Sequence, residues 1–202
     1  MDKIDQSAQE KILEAARKVF IAKGMAGARM QDIANEAGIN KALLHYYFRS
    51  KEKLFEVIFQ EVSTSFFPLI NEIFEAEIPL FEKIERFCSV YIEKIVENPF
   101  IPIFILNEMN QQPDIFIEKI FGGKLPNVPA MIIQIKNEVA EGKIKPIKPE
   151  HLFMNMMSMC IFPFVAKPIW MKISGTGDQE FVALMNERKQ EIPKFIIESI
   201  KK

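Results

Sequence analysis

The sequence predicts an all-α protein of about nine to ten helices, divided into a small N-terminal domain and a larger C-terminal one. Apolar residues recur at helical spacing through most of the 202 residues, whereas no alternating run is long enough to form a sheet. Three of the eight glycines divide the first forty residues into short segments, and no other glycine precedes Gly122. We therefore place the N-terminal domain at residues 1–50 and the C-terminal domain at residues 51–202.

The N-terminal domain begins with two predicted helices, each ended by a glycine. The first covers about residues 7–23, where apolar residues share one helical face, and Gly24 follows it. The second covers about residues 30–37 and is followed by Gly38. Asn40 is a favourable N-cap residue, so we expect a third helix to begin directly after it.

The third predicted helix faces the interior through Leu44, with Tyr47 or Phe48 inward beside it. Ser50 is the expected N-cap of a fourth helix, which has no capping box because Lys53 stands where an acid is needed. Farther along the chain, helical stripes predict helices at about residues 80–95, 101–109, 113–121, 126–140, 149–172 and 178–201.

Composition and charge limit the class of protein. The N-terminus is charged within its first five residues, and no apolar run approaches the roughly 18 residues that a membrane span needs. Cys88 and Cys160 lie in apolar helical patterns, as expected of free thiols in a reducing compartment. With 26 basic and 27 acidic residues, bulk charge does not predict nucleic-acid binding. We expect a cytoplasmic protein that does not associate with membranes.

Residues 30–48 have the spacing of a helix-turn-helix motif. This motif needs a small residue where the helices cross, a glycine in the turn, and apolar residues that hold the second helix against the first. Ala34 and Gly38 meet the first two needs, and Ile39 and Leu44 meet the third. The alternative is an ordinary crossing of two helices at a small residue, with a solvated outer face.

The outward edge of the third helix carries side chains that suit a major groove. Lys41 can reach a guanine edge or a phosphate, and Ala42 can touch a thymine methyl group. His45 and Tyr46 can hydrogen-bond to bases or phosphates, while Lys51 can bind phosphate together with the free amides that begin the fourth helix. The predicted DNA-binding residues are Arg29, Gln31, Asn40, Lys41, Ala42, His45, Tyr46 and Lys51.

The segment MQDIANEAGINKALLHYYFRSKEKLF closely resembles the DNA-binding signature of TetR-type (tetracycline-repressor-like) transcriptional regulators. The resemblance lies in DIA, in AGI before the recognition helix, in YYF, and in SKEKLF at the start of helix four, and it covers about residues 8–58. The connector EGKIKPIKPEHL looks like the usual lead into the eighth helix of that family. The resemblance implies a homodimeric repressor of a palindromic double-stranded operator, with a ligand-sensing and dimerising domain beyond about residue 55.

Three places depart from the family pattern. Arg29 stands where Thr or Ser commonly caps the second helix, and Asn40 stands where a Ser often precedes the recognition helix. Residues 42–45 read Ala-Leu-Leu-His where the family often has Gly-Thr-Leu-Tyr. The operator sequence therefore does not follow by analogy.

The C-terminal stretch LFMNMMSMCIFPFVAKPIWMKI is more apolar than one face of a surface helix requires. A homodimer interface made by the last two helices accounts for it, and burial within a monomer is the alternative. Met and Phe also suit a pocket for a small apolar or amphipathic effector, although a Met-rich stripe is more often ordinary core. Polar residues of the C-terminal domain are the predicted pocket lining, although capping or exposure explains many of them equally well: Tyr91, Asn107, Glu108, Asn110, Asn155, Ser158 and Trp170.

Enzymatic chemistry has no matching pattern in the sequence. His45 and His151 are the only histidines, and neither has the spacing of a zinc site. The sequence has no phosphate-binding glycine loop and no G-x-S-x-G motif. We predict no enzymatic activity, no metal and no cofactor. The remaining alternative to a regulator is a carrier of apolar ligands or a helical protein-interaction module without specific DNA binding.

Overall fold

The computed structural model describes residues 3–111, 118 and 126–202, and these residues form ten α-helices. Their only extended pairing is an isolated antiparallel bridge between Ile144 and Lys201, so the all-α prediction is confirmed. The predicted helix at residues 113–121 lies, apart from residue 118, outside the described residues. The helices are α1 (Lys3–Gly27), α2 (Met30–Glu36), α3 (Lys41–Tyr47), α4 (Lys51–Glu75), α5 (Leu80–Glu97), α6 (Ile101–Gln111), α7 (Val128–Ala140), α8 (Pro149–Val165), α9 (Lys167–Ser174) and α10 (Asp178–Ile200).

The chain divides into two compact units, an N-terminal unit (Met1–Thr64) and a C-terminal unit (Ser65–Lys202). The division falls inside α4, whose first half carries buried side chains of the N-terminal unit. The domain limits at residues 1–50 and 51–202 stay a prediction.

The N-terminal unit has a small apolar core made by α1, α2, α3 and the first half of α4. Ile12 and Phe20 of α1 are fully buried, and the Phe20 ring packs edge-on against Phe55 with 5.2 Å between ring centroids. Gly24 breaks the helical geometry of α1 with φ +66° at the predicted stop, and a further turn continues to Gly27. Ser50 accepts a hydrogen bond from the Lys53 amide at 3.2 Å, which confirms the predicted N-cap of α4.

The core of the C-terminal unit is built on α5, which packs against α10 and α8. The Phe74 and Phe87 rings stack at 5.5 Å. Cys88 and Cys160 are buried free thiols, and the hydrogen bond between them, together with burial, raises the pKa of Cys88. Lys83 is also buried, and its ammonium donates to the Phe74 carbonyl near the C-terminus of α4 at 2.8 Å, where a cation is favourable.

The predicted single helix at residues 149–172 is wrong, because the chain forms two helices there. α8 ends at Val165, and α9 begins at Lys167 after a bend of 67°. Pro168 explains the break: it has no N–H to donate to the carbonyl four residues before it, and its ring would clash with that carbonyl in a continuous helix. In the first turn of a new helix that missing donor carries no penalty.

None of the described helices is by itself long and apolar enough to cross a membrane. Only α8 and α9 taken together, across their bend of 67°, meet that criterion of length and composition.

Candidate nucleic-acid interface

The turn between α2 and α3 is fixed by Gly38 and by hydrogen bonds to the end of α2. Gly38 takes φ +67°, a left-handed conformation that glycine adopts without strain. The Ile39 amide donates to the Ala34 carbonyl at 3.0 Å, which closes the helix end in the manner of a Schellman motif. Ala34 is fully buried, as the predicted helix crossing requires.

The recognition helix α3 is short, and its start and its core side are both secured. Asn40 takes an extended backbone conformation, and its side-chain oxygen accepts from the Leu43 amide at 2.7 Å, which confirms the predicted N-cap. Leu44 is 0% exposed and pins the helix to the unit beneath it. Tyr47 and Phe48 are partly buried on the same side.

The four predicted groove residues of α3 are all exposed. Lys41, Ala42 and His45 face solvent, and Tyr46 is 80% exposed. Since Leu44 is buried among them, the helix presents one continuous outer edge, and no acidic residue lies within Lys41–Tyr47. An exposed edge beside a buried anchor is what a helix-turn-helix motif offers to a major groove.

One contact holds each of the His45 and Tyr46 side chains and leaves a polar atom of each available to DNA. Nδ1 of His45 lies 3.2 Å from the Arg49 carbonyl oxygen, a contact that requires the proton on Nδ1. In the neutral ring this leaves Nε2 as an acceptor that faces away from the helix end. The Tyr46 ring packs edge-on against Tyr47 at 5.3 Å, which limits its rotation.

The start of α2 depends on Asp32, a residue that the sequence reasoning missed. Arg29 is the N-cap but supplies no side-chain bond; its amide donates instead to the Asp32 carboxylate at 3.2 Å. Lys23 contacts the same carboxylate at 3.0 Å, and this hydrogen-bonded ammonium lowers the pKa of Asp32. An acid at the third position of a predicted helix was the available signal. The Arg29 side chain is left exposed, and the exposed Gln31 bonds Asn35 at 2.9 Å.

Lys51 begins α4 but is already engaged within the N-terminal unit. Its ammonium donates to the Met25 carbonyl at 2.7 Å, in a partly buried position that joins the end of α1 to the start of α4. The remaining donors of the ammonium and the first amides of α4 are the groups left for a phosphate.

Among the predicted effector residues, Tyr91 lies closest to the core. It is partly buried on α5, with its ring 5.1 Å from Phe66 and 5.1 Å from Phe87. Burial raises the pKa of the Tyr91 phenol, so its hydroxyl is kept neutral over the physiological range.

The other predicted effector residues are not gathered around Tyr91. Asn110, Asn155, Ser158 and Trp170 are exposed. Asn110 bonds the Leu106 carbonyl, and Ser158 bonds the Asn155 carbonyl, so two of these side chains are engaged by their own helices. The side chains of Asn107 and Glu108 lie outside the described residues, and the role of the whole set stays a prediction.

The last long helices, α8 and α10, run antiparallel and leave apolar side chains exposed. Phe164 packs on Phe181 at 5.9 Å between ring centroids, and Arg188 donates to the Met159 carbonyl at 3.0 Å. Residues farther along α10 therefore contact residues nearer the start of α8, as in an antiparallel pair. On their outer sides Phe162 is 66% exposed and Phe195 is 61% exposed, which is unusual for side chains of this size.

Comparison with known proteins agrees with this geometry. The sequence model described as "Bacterial regulatory proteins, tetR family" matches residues 12–58. The regulator RutR of Escherichia coli K12 is 27% identical over 197 residues, which cover 96% of this chain and 92% of RutR. IcaR of Staphylococcus aureus, the negative transcriptional regulator of a biofilm operon, is 28% identical over 151 residues, which cover 74% of this chain and 77% of IcaR.

A solved structure shares the fold over most of the chain. The transcriptional regulator FadR of Bacillus subtilis, crystallised with stearoyl-CoA, superposes with a TM-score of 0.57 at 18% identity, covering 91% of this chain and 96% of FadR. The matched segment contains the capped, outward-facing α3 described above. The match at residues 12–58 and the similarity to RutR over 96% of this chain identify a TetR-type DNA-binding transcriptional regulator.

Proposed function

We propose that the protein is a cytoplasmic, homodimeric repressor that binds a palindromic operator, has no enzymatic activity, and is released from DNA by a small, mostly apolar or amphipathic molecule. The observation that carries the DNA-binding part is the outer edge of α3, where Lys41, His45 and Tyr46 face solvent around the buried Leu44. The negative regulator IcaR, as a relative over most of the chain, supports repression.

The contacts with DNA divide into those that position the protein and those that read bases. Arg29, Gln31 and Lys51, near the starts of α2 and α4, suit the phosphate backbone. Asn40 and Lys41 stand at the N-terminus of α3, which enters the groove first in this motif. Ala42, His45 and Tyr46 follow along the outer edge and contact base edges, the thymine methyl group among them.

Homodimerisation is supported by the outer faces of α8 and α10. A monomer rarely leaves several large apolar side chains exposed on one pair of helices, and a second copy would bury Phe162 of α8 and Phe195 of α10 in a four-helix contact. A twofold axis then relates the two α3 helices, as a palindrome demands. Successive major grooves on one side of a duplex are about 34 to 36 Å apart.

An apolar or amphipathic effector is supported by the aromatic cluster around Tyr91. The Tyr91 ring contacts both Phe66 and Phe87. The Phe74 ring in turn contacts Phe87 and, at 5.8 Å between ring centroids, Phe153. Aromatic rings beside a single hydroxyl are the kind of side chains that suit a largely apolar molecule with one polar group. FadR, which shares the fold, holds stearoyl-CoA.

Release from DNA follows if the effector prefers one of two conformations of the dimer. In one conformation the spacing of the two α3 helices fits the operator, and in the other it does not. A molecule that binds more tightly to the second conformation lowers operator affinity by the ratio of its affinities for the two conformations. A coupling free energy of about 1 to 3 kcal/mol is typical and changes DNA affinity about 5- to 150-fold.

The DNA-binding part is tested by fluorescence anisotropy on the duplex that flanks its own gene and on duplexes selected from a random pool. We expect specific binding that weakens with salt, with log affinity falling by about 0.9 per phosphate contacted for each unit of log salt concentration. A shuffled duplex of the same length is the control. Absence of binding to every duplex, or binding that ignores salt, would contradict the proposal.

The effector part is tested by adding stearate or stearoyl-CoA, chosen as amphipathic probes, to the protein–DNA complex, and by native mass spectrometry of the purified protein. We expect a bound apolar molecule in the spectrum or a fall in DNA affinity with one of the probes. A protein that binds neither probe and copurifies with only polar molecules would argue against an apolar effector.

A further inference from the structure

A groove of about 320 Å³ lies between α8 and α10 on the outer side of the C-terminal unit. Met159, Arg188, Glu191, Ile192 and Phe195 line it. The groove therefore combines an apolar floor with one cation and one carboxylate, and Phe195 stands 61% exposed at its side.

Arg188 is incompletely bonded inside this groove. One of its terminal nitrogens donates to the Met159 carbonyl at 3.0 Å, while Nε is buried and has no hydrogen-bond partner among the described residues. A guanidinium nitrogen removed from water without a partner is costly. The rest of the Arg188 side chain is only half-buried and lines the groove, and a carboxylate is the acceptor that fits its planar guanidinium best. In the described part of the chain, neither Arg188 nor Glu191 makes an ion pair.

A second copy of the same chain supplies the missing carboxylate by symmetry. Arg188 and Glu191 lie three positions apart on α10, or about 4.5 Å along the helix axis. When a twofold axis passes between them at right angles to α10, the two copies of α10 run antiparallel. Each arginine then faces the glutamate of the other copy. In a twofold contact, if residue i of one copy meets residue j of the other, residue j of the first also meets residue i of the second.

We infer that Arg188 of each copy pairs with Glu191 of the other across the groove, and that this double ion pair sets the register of the homodimer. The inference rests on the proposed homodimer. Phe195, which lines the same groove, excludes water beside the pairs, and the opposite charges disfavour displaced registers that would bring like charges together.

The first test reverses the charge of Glu191, which is exposed and whose replacement leaves the buried core untouched. Sedimentation of Glu191→Arg should show a dimer weakened about tenfold or more, because each arginine then meets another arginine. Glu198→Arg is the matched control, since Glu198 is exposed on α10 but lines a different groove with Glu85 and Ser89. Equal dimer affinities for the two variants would overturn the inference.

The second test mixes two single variants, Arg188→Glu and Glu191→Arg, and counts species by native mass spectrometry. Each homodimer contains two like-charged contacts, whereas the mixed dimer contains one restored pair and one native pair. We expect the mixed dimer to exceed the share that random subunit exchange gives. An ion pair within one copy would produce no such preference, so a random distribution also overturns the inference.

The two proposals fail in different ways. A wild-type chain that sediments as a monomer at every concentration contradicts the homodimer itself, and with it this pairing. A wild-type dimer that is insensitive to Glu191→Arg and shows no preference on mixing leaves the homodimer standing and removes only the pairing. Circular dichroism of each variant verifies that it is folded, and if Arg188→Glu does not fold, the comparison of Glu191→Arg with Glu198→Arg decides alone.

Discussion

The outer faces of α3 and α8 carry opposite chemistry. α3 belongs to the N-terminal unit and exposes an ammonium, an imidazole and a phenol at Lys41, His45 and Tyr46. α8 belongs to the C-terminal unit and exposes Met154 and Phe162, which are 60% and 66% exposed. Each helix is anchored by a buried stripe on its other side, so the difference lies entirely in what is offered to solvent.

This difference indicates two kinds of partner. A polar edge keeps its water until it meets phosphates and base edges, and its contacts are sensitive to salt. An apolar face is stabilised by losing water, and its contact with a partner is driven by buried area. Substitutions on the two faces should therefore separate DNA binding from self-association.

Leu44→Ala should produce the largest change, because it removes the fully buried anchor of α3. We expect the free energy of unfolding of the N-terminal unit to fall by about 2 to 5 kcal/mol. Amide hydrogen exchange of α3 measures the loss. Leu43→Ala, on the neighbouring and partly exposed position, is the control and should change exchange little. A similar effect at both positions would mean that α3 is not held by its inner face.

Lys41→Ala and Tyr46→Ala should each weaken operator binding by about 1 to 3 kcal/mol while folding and dimerisation persist. Lys51→Ala should differ from both, since it also removes the bond to the Met25 carbonyl and lowers the stability of the N-terminal unit. Anisotropy titrations and thermal melts distinguish the two outcomes.

Lys136→Ala, an exposed lysine on α7, is the control for loss of charge. If Lys41→Ala and Tyr46→Ala bind DNA as well as the wild type does, the result would favour the alternative function, a carrier or an interaction module, over a regulator that reads its operator with α3.

Phe162→Ser should weaken self-association by about 1 to 2 kcal/mol without lowering the stability of the monomer, because the side chain is exposed in one copy. Ile133→Ser on α7 is a matched control, with a side chain that is 57% exposed. Sedimentation equilibrium compares them. A dimer affected equally by both, or by neither, would place the interface away from α8.

Tyr91→Phe should have no effect on stability near pH 7 and a measurable one in alkali. The raised pKa of the Tyr91 phenol means that above about pH 10, the usual tyrosine pKa, the unfolded chain loses this proton before the folded one does. The wild type should therefore lose stability there as pH rises, and Tyr91→Phe should lose less. Urea unfolding at pH 8 and pH 10.5 measures the difference, and parallel losses in both proteins would contradict it.

The motif in the N-terminal unit could be predicted closely because its determinants are local. Gly38, the Asn40 cap and the buried Leu44 all act within one or two helical turns, so spacing alone places them. The role of Asp32 was missed because Arg29 is an unusual N-cap, and the capping bond came from the third helical position instead.

The effector residues could not be found in the same way. A pocket joins residues that are distant along the chain, and polarity in an apolar segment does not tell a lining residue from one bonded to its own helix. Asn110 and Ser158 each bond a carbonyl within their own helix. The missed bend after α8 has a related cause, since Pro163 is tolerated within α8 whereas Pro168 lies in the first turn of a new helix.

The cap of α3 limits which bases Asn40 can recognise. An asparagine that pairs with adenine uses its carbonyl oxygen and its amide together. In this chain that oxygen is turned into the helix and holds the Leu43 amide at 2.7 Å, so only the NH₂ group faces outward. Asn40 can then donate to a phosphate, to guanine or to thymine. A bidentate pair with adenine would have to share the capping oxygen or give up the cap, at about 1 kcal/mol.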